Sequence, residues 1–386
     1  MIDMIENYFP QGIATGNAFI GRDKDMEWLI KNIQTGHHTL LLAPRRYGKT
    51  SLAVNTLNKL HLPFAEVNCY LALSASAVEK KILTAVQSLL KKIVGKPEKI
   101  LASVQSFLKK GKKRWTLGFK GVLGVEITPD SSEDYPENIL TALMLLEDVL
   151  NTQKKPAIIF IDEVQEIDAL KESRQVEAAI RQFAQQSKRL VFIFSGSNRR
   201  LLTQMFDDRL KPLYELCDRI TLDRISVEDY RQYLNYVAEK TFKKNLPESA
   251  FAAIIQLSER HPKRIYNLCF YLWRICEEAH KIPDADDVFK AWNIYLKQRL
   301  KDTQYHLTRL SPGQLKVLTL VATGVNQEMT GQIAQKRVKM AGSSIVKALQ
   351  ILEAGDYIEK TTENAYRLID PLIKDTLLQY EIVNLD

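Results

Sequence analysis

The chain has 386 residues and a formal net charge of +8, with 45% hydrophobic and 26% charged residues. These proportions are ordinary for a globular protein and exclude a disordered or fibrous chain, and the length suits two or three domains. No apolar run approaches the roughly 20 residues that span a bilayer, and the acidic N-terminus lacks the features of a secretory signal. The four cysteines have neither a zinc-site nor a disulfide spacing, which favours a reducing, cytoplasmic compartment.

Short apolar runs alternate with segments of helical spacing in the first half of the chain. This pattern predicts strands and helices in turn, and a Gly-punctuated hairpin between two of the helices. Because continuous apolar strands alternate with helices, we expect a parallel five-stranded sheet with helices on both faces. The predicted strands are 39–43, 62–68, 157–161, 190–195 and 219–222, the helical segments are 50–60, 77–108 (one or two helices), 137–152 and 173–187, and the hairpin is 115–127.

Positive charge is concentrated ahead of the hairpin. Residues 79–120 contain twelve Lys or Arg against two Glu, a local excess larger than the net charge of the whole chain. We call this stretch the basic segment, and it is the expected surface for a polyanion. The structural alternative is the solvated face of amphipathic helices.

The second half of the chain is predicted to be helical. Residues 226–300 have helical patterning throughout and begin at a predicted capping box, Ser226-x-x-Asp229. Residues 311–370 predict three helices followed by two short strands. This order is typical of a winged helix, whose third helix enters the major groove in DNA-binding versions.

A phosphate-binding loop is predicted at residues 43–50, Ala-Pro-Arg-Arg-Tyr-Gly-Lys-Thr, with Ala43 where glycine is usual. Backbone N–H groups of the loop and of the helix that follows point at phosphate oxygens, and Gly48 permits their close approach. Lys49 places a charge on the β- and γ-phosphates, and Thr50 offers a hydroxyl to Mg²⁺. The expected cofactors are ATP or ADP with Mg²⁺. The nucleotide-binding residues predicted here are Pro44, Arg45, Arg46, Tyr47, Gly48, Lys49, Thr50 and Ser51.

An acidic pair, Asp162-Glu163, follows the predicted strand 157–161. One carboxylate at the end of a buried strand can hold Mg²⁺ together with Thr50, and its neighbour can orient and deprotonate the attacking water. On its own the pair would be an acidic helix start stabilised by the helix dipole. Combined with the phosphate-binding loop, it predicts catalytic roles for Asp162, Glu163 and Lys49.

The next strand ends at further polar residues. Ser197 and Asn198 are both candidates to contact the γ-phosphate or the attacking water, or to cap the following helix. The sequence does not choose an arginine finger among Arg199, Arg200, Arg209 and Arg219.

Five segments in order resemble one family: FIGRDKDMEWL, APRRYGKTSL, IIFIDEVQEI, FIFSGSNRRLL with PLY, and RHPKRIYNLCFYLW. They are similar to the archaeal-type ATPases of the STAND group, within the AAA+ and related P-loop ATPases. The resemblance covers nearly the whole chain and implies a P-loop NTPase core, an all-α lid and a winged-helix domain. The domains predicted in this way are 1–225, with a basic insertion at about 77–130, then 226–305 and 306–386.

The resemblance also implies roles for individual residues. Phe19, Ile20, Gly21 and Arg22 match the segment near the adenine, and Arg46 matches the arginine of the family's loop. His261 and Pro262 match a lid motif that is usually Gly-His-Pro, with Arg260 replacing the glycine. Lys263 or Arg264 is a candidate phosphate sensor, with solvated helix residues as the alternative. The family often has Gly-Arg after PLY, whereas Glu215 and Leu216 follow here, so the usual arginine finger has no match.

These observations predict an ATP-binding, nucleotide-gated switch with slow Mg²⁺-dependent hydrolysis and a hinge near 222–228. One alternative is a DNA-binding ATPase resembling origin-recognition or helicase-loading proteins, with the basic segment and the winged helix as its DNA-binding surfaces. Another is a non-catalytic ATP-bound scaffold, against which the intact Lys49, Thr50, Asp162 and Glu163 argue.

The winged helix is nearly neutral, which favours a regulatory element that folds back on the nucleotide site. Expected partners are ATP, DNA, a regulatory protein and a nucleotide-dependent homo-oligomer. Charge reversal at Lys109, Lys110, Lys112, Lys113 and Arg114 would test the DNA alternative.

Overall fold

The computed structural model of the protein describes residues 2–110, 115–119, 125–129, 134–361 and 363–380. These residues form two compact units. The sheet unit takes its described residues from 24–43 and 52–222, and the helical unit takes its own from 1–23, 44–51 and 223–386. The sheet unit has one hydrophobic core cluster, and the helical unit has two.

Helices make up most of the described chain. In chain order they are α1 (Ile2–Tyr8), α2 (Asp23–Thr35), α3 (Lys49–Leu60), α4 (Ala75–Val94), α5 (Pro97–Lys110), α6 (Tyr135–Gln153), α7 (Ser173–Ala184), α8 (Arg199–Asp207), α9 (Val227–Phe242), α10 (Glu248–Ser258), α11 (Pro262–Glu278), α12 (Ala285–Leu307), α13 (Pro312–Ala322), α14 (Gln332–Val338), α15 (Gly342–Ala354) and α16 (Pro371–Gln379). Of these, α1, α2, α8 and α16 lie outside the segments that the sequence pattern predicted.

The strands coincide closely with the predicted apolar runs. They are β1 (Thr39–Leu42), β2 (Phe64–Asn68), β3 (Trp115–Phe119), β4 (Val125–Pro129), β5 (Ala157–Asp162), β6 (Leu190–Gly196), β7 (Asp218–Thr221), β8 (Ile358–Lys360) and β9 (Tyr366–Leu368).

Five strands form a parallel sheet in the order β2-β5-β6-β1-β7. Every residue of β5 and β6 is buried. Because successive side chains of a strand point to opposite faces, this burial means that both faces of the sheet are covered. The register aligns Asn68 with Asp162 and Leu42 with Gly196, so these strands end at one edge. The predicted five-stranded parallel sheet is confirmed.

The segment between β2 and β5 contains two helices and a hairpin. The predicted helical stretch 77–108 is two helices, α4 and α5, and β3 pairs antiparallel with β4 as the predicted hairpin requires. Helix α4 packs on α6, and α6 packs on α7, so the insertion is anchored to the sheet unit. Of the basic segment, residues 111–114 and 120 lie outside the described residues.

The long C-terminal stretch of the helical unit starts at residue 223, and its first helix is α9. Ser226 caps this helix by accepting from the N–H of Asp229, and its hydroxyl donates to the Asp229 carboxylate at 2.6 Å. Large aromatic side chains fill the core of α9–α12, where Trp273 and Trp292 are buried. Trp292 Nε1 donates to the Asp375 carboxylate at 2.5 Å, which fixes α16 against α12.

The C-terminal module, which we define as residues 307–380, has its own core cluster. Three helices, α13–α15, precede the antiparallel pair β8–β9, in the predicted order. Its assignment as a winged helix stays a prediction, and so do the three domain boundaries. Among the described residues, no helix combines the length and the apolar character that crossing a membrane requires.

Candidate functional site

The carboxyl edge of the sheet holds the first part of the site. Asp162 is the last residue of β5 and is 7% exposed. Its Oδ1 accepts from the hydroxyl of Ser195, on the neighbouring strand β6, and from the backbone N–H of Glu163 at 3.0 Å. These donors fix the orientation of the Asp162 carboxylate at the strand end.

Glu163 follows in a left-handed backbone conformation, with φ 53°. A non-glycine residue in this region costs roughly 1–2 kcal/mol, and such residues cluster at functional sites. One carboxylate oxygen, Oε2, accepts three hydrogen bonds: from Ser197 N at 3.0 Å, from Ser197 Oγ at 2.8 Å and from Gln165 Nε2 at 2.5 Å. The fold therefore brings Glu163 and Ser197 together, as predicted residues of one site.

Asn198 has a different role from Ser197, because it caps a helix. Its side chain accepts from the N–H of Leu201 at 3.1 Å, which makes it the N-cap of α8. Among the arginine-finger candidates, Arg199 and Arg200 begin this helix, Arg219 pairs with Asp207, and Arg209 lies beside Tyr214.

Two polar residues of this edge, Ser195 and Gln165, are not among the site residues that the sequence predicts. Ser195 carries a fully buried hydroxyl in an otherwise apolar strand. A single hydroxyl in such an apolar run is the sequence feature that could have identified it as a site residue. Gln165 lies two residues after Glu163 in the segment DEVQ and is 3% exposed. No local pattern indicates that its amide reaches back to Glu163.

The phosphate-binding loop is the covalent continuation of β1. Since Leu42 pairs with Gly196, β1 ends at the edge where β5 and β6 end, and the loop is the next segment of the chain. Ala43 is buried and has a negative φ, so its methyl group replaces the usual glycine without backbone strain. Gly48 has φ 93° with open space around its Cα, so this glycine is required by conformation rather than by crowding.

Within the loop, the predicted residues have distinct surroundings. Lys49 begins α3 and its Nζ donates to the carbonyl of Pro44 at 3.1 Å, so the side chain folds back over the loop. Thr50 follows it, half-buried, in the first turn of the helix. Arg45 and Arg46 are exposed, and Ser51 Oγ accepts from Ala14 N at 3.1 Å.

Tyr47 is the centre of a polar network inside the helical unit. Its side chain is 1% exposed, and its hydroxyl donates to Glu359 on β8 at 3.2 Å and accepts from Arg224 Nε at 3.1 Å. Burial, outweighing the nearby Arg224 charge, raises the pKa of Tyr47 to about 12, so the hydroxyl keeps its proton. Arg224 also donates to the carbonyls of Glu259 and Leu368, the latter at 2.9 Å. The loop is thereby connected to the C-terminal module.

The segment before the loop is held by the same unit. Arg22 donates to the carbonyl of Tyr47 at 3.1 Å and to the carbonyl of Asp223 at 2.6 Å. Gly21 has φ 64°, and a Cβ there would lie 2.3 Å from a methyl group of Ile225. Ile20 packs on the core of the helical unit. The predicted segment Ile20–Arg22 is therefore fixed by close packing and by the hydrogen bonds that Arg22 donates to the two carbonyls.

The predicted lid motif lies at the start of α11. His261 is its N-cap, 1% exposed, and Pro262 is its first residue, a position that suits proline. Burial lowers the pKa of His261 to about 3, so the imidazole is neutral. Arg260 has φ 59°, which explains why glycine is usual at this position of the motif.

The two candidate phosphate sensors of α11 are both engaged. Arg264 forms a bidentate ion pair with Asp370, in which its Nε donates to Oδ1 at 2.7 Å. It also donates to the Tyr295 hydroxyl. Burial would raise the pKa of Asp370, but the Arg264 charge holds it down at about 2. Lys263 donates to the carbonyl of Gln11, and burial together with the charges of Arg46 and Arg264 lowers its pKa to about 8.

Comparison with solved structures gives three informative similarities. The Walker-type ATPase PABY2304 of Pyrococcus abyssi is 18% identical with a TM-score of 0.70, covering 96% of this chain and 99% of its own. The Aeropyrum pernix ORC2 protein in ADPNP–ADP complexes is 14% identical with a TM-score of 0.57, covering 98% of both chains. The Aeropyrum pernix ORC1 protein in complex with DNA is 14% identical with a TM-score of 0.50, covering 97% and 96%.

No protein-family model matches the sequence, and the search of curated proteins gives no match either. At these identities the structural likeness shows the fold alone, which is the P-loop NTPase fold. An activity has to be argued from the site residues themselves.

Proposed function

We propose that this protein is a Mg²⁺-dependent ATPase in which nucleotide binding is linked to the state of the C-terminal module. The observation that carries the proposal is the arrangement at the carboxyl edge of the sheet. Asp162 ends β5, Glu163 and Ser197 directly follow β5 and β6, and β1, which pairs with β6, is followed in the chain by the predicted phosphate-binding loop. This is the edge at which open parallel sheets bind their ligands.

The residues present suit the expected cofactor. A hydroxyl and a carboxylate are oxygen donors of the kind that Mg²⁺ prefers, and Thr50 and Asp162 would hold the ion. Bound Mg²⁺ supplies charge that stabilises the transferring phosphoryl group. Lys49 and the N–H groups of the loop bind the phosphates. The Glu163 carboxylate orients the attacking water and accepts its proton, and Ser197 orients that carboxylate.

The link to the C-terminal module is supported by contacts within the helical unit. Glu359 and the carbonyl of Leu368 belong to β8 and β9, and both bond to the pair that Tyr47 forms with Arg224. Asp370 bonds to Arg264 of the predicted lid. A nucleotide that repositions Tyr47 or Arg264 therefore acts on this module, as a switch ATPase of the STAND group would require.

Replacement of the water-activating carboxylate is the direct test. We expect Glu163→Gln to reduce phosphate release at least a hundredfold, because the amide cannot accept a proton, while nucleotide binding stays within about threefold of wild type. Phosphate release and binding of a fluorescent ATP analogue measure the two effects. Glu172→Gln, at the N-cap position of α7, is the matched control. Unchanged turnover in Glu163→Gln would refute the assignment, and no release from wild type would favour the ATP-bound scaffold.

A DNA-binding ATPase is the second candidate, and exposed lysines of α4, α5 and the connection between them favour it. Lys91 on α4, Lys99 on α5 and Lys96 between the two helices are solvent-exposed. The similar ORC1 structure contains DNA. Reversal of these three charges should weaken duplex binding and flatten its salt dependence, because phosphate contacts release counterions. Fluorescence anisotropy at several salt concentrations measures both. Absence of binding at 50 mM salt would exclude this candidate.

A further inference from the structure

Gln165 lies beside the predicted catalytic carboxylate, and no role was assigned to it from the sequence. Its Nε2 donates to Glu163 Oε2 at 2.5 Å and approaches Glu166 Oε1 at 3.4 Å. Two carboxylates on the same side require the NH₂ group to face them, because a carbonyl there would oppose two acceptors. The orientation of the Gln165 amide is thus fixed by its neighbours.

This orientation leaves the other end of the amide unsatisfied. Gln165 Oε1 is buried and has no hydrogen-bond partner among the residues that the structure describes. An unpaired buried carbonyl destabilises a fold by roughly 1–3 kcal/mol. A methionine or leucine would fill the same space without that cost, so packing alone does not explain a glutamine here.

The neighbouring strand is also adapted to this amide. A Cβ on Gly196 would lie 1.8 Å from Gln165 Oε1, so any larger residue at this position of β6 would require the amide to move from its observed place. Glycine inside a strand weakens it and often marks a close approach of another group. Two unfavourable features, the unpaired carbonyl and the strand glycine, therefore accompany one favourable contact, the hydrogen bond to Glu163.

We propose that Gln165 is a positioning residue for Glu163: its amide, together with Ser197, holds one carboxylate oxygen and fixes how the carboxylate faces the attacking water. The inference rests on the proposed ATPase function. Three donors converge on Oε2, and two of them come from Ser197, the residue that follows β6. Gln165 supplies the third from the same chain segment as Glu163, and its burial between Glu163 and Gly196 holds that donor rigidly.

The test replaces Gln165 with methionine, which has a similar length and no donor. Because the hydrogen bond orients the base rather than the nucleotide, kcat should fall about tenfold with KM within twofold of wild type. Removal of the unpaired carbonyl compensates for the lost bond, so the melting temperature of the nucleotide-free protein should change by less than about 4 °C. Gln182→Met, at an exposed position of α7, is the matched control.

A double substitution distinguishes positioning from a structural role. Since Gln165 and Ser197 donate to the same oxygen, Gln165→Met should reduce kcat much less in a Ser197→Ala background than in wild type. The inference is overturned if kcat is unchanged in Gln165→Met, if the two effects multiply independently, or if the melting temperature falls sharply while turnover per folded molecule is retained. Absence of turnover in wild type would instead refute the proposed function, because the nucleotide-free stability of Gln165→Met is measured independently.

Discussion

At the scale of single residues, the fold constrains the identity of Gly196 through its contact with Gln165. A Cβ at this position would lie 1.8 Å from Gln165 Oε1, so the amide keeps its place only beside a glycine. We expect Gly196→Ala to lower the free energy of unfolding by about 1–3 kcal/mol, because the added methyl group must displace the buried amide. Urea denaturation measures the change. Gly12→Ala, where no atom lies within 4 Å of the new Cβ, should be close to neutral. Equal stability of the two variants would contradict the crowding at Gly196.

At the scale of elements, the N-terminus of α11 makes stability depend on pH. Burial lowers the pKa of His261 to about 3, below its ordinary value of 6.5, so the unfolded chain takes up a proton that the native state does not. Its contribution is therefore intact above pH 6.5 and is lost as pH falls towards 3, by up to about 1.4 kcal/mol per pH unit.

The substitution His261→Asn keeps a side chain that can cap the helix and removes the titrating group. We expect it to flatten the loss of stability between pH 6.5 and 4.5, measured by urea denaturation at each pH. Glu177, whose pKa burial raises to about 7, acts in the opposite direction in this range, so the informative quantity is the difference between variant and wild type. Identical pH dependence of the two proteins would show that His261 has the same pKa in the native state as in the unfolded chain.

At the scale of the whole molecule, the C-terminal module and the phosphate-binding loop share one network. Glu359 accepts from Tyr47 at 3.2 Å and from Arg367 at 2.7 Å. If nucleotide binding requires Tyr47 to leave this network, weakening it raises the population of the binding-competent state. We therefore expect Glu359→Gln to tighten ATP binding about three- to tenfold, measured by calorimetry.

A matched substitution in the same hairpin provides the control for this coupling. Glu363 is exposed and lies between β8 and β9, so Glu363→Gln changes the charge of the module equally without touching Tyr47. Equal affinities of Glu359→Gln, Glu363→Gln and wild type would remove the support for the switch. Weaker binding in Glu359→Gln alone would mean that the contact holds the loop in its binding conformation instead.

The sequence by itself determined the sheet strands, the phosphate-binding loop and the acidic pair. These features are contiguous: a buried strand is an apolar run, and the loop is one short motif between a strand and a helix. The resemblance to a known family added the prediction of a lid motif at His261 and Pro262, which are also adjacent in the sequence. Left-handed backbone at Gly48 and Gly21 agrees with the glycines found there.

Only the tertiary structure decided which side chains meet. Asp370 pairs with Arg264 across 106 positions, and Arg224 bonds to Tyr47 across 177, so no local periodicity could indicate either contact. Gln165 is close to Glu163 in the sequence, yet its role depends on the space that Gly196 leaves on another strand. Side-chain partners are selected by the packing of distant segments, and the sequence records that packing only as isolated exceptions, such as a buried serine or a strand glycine.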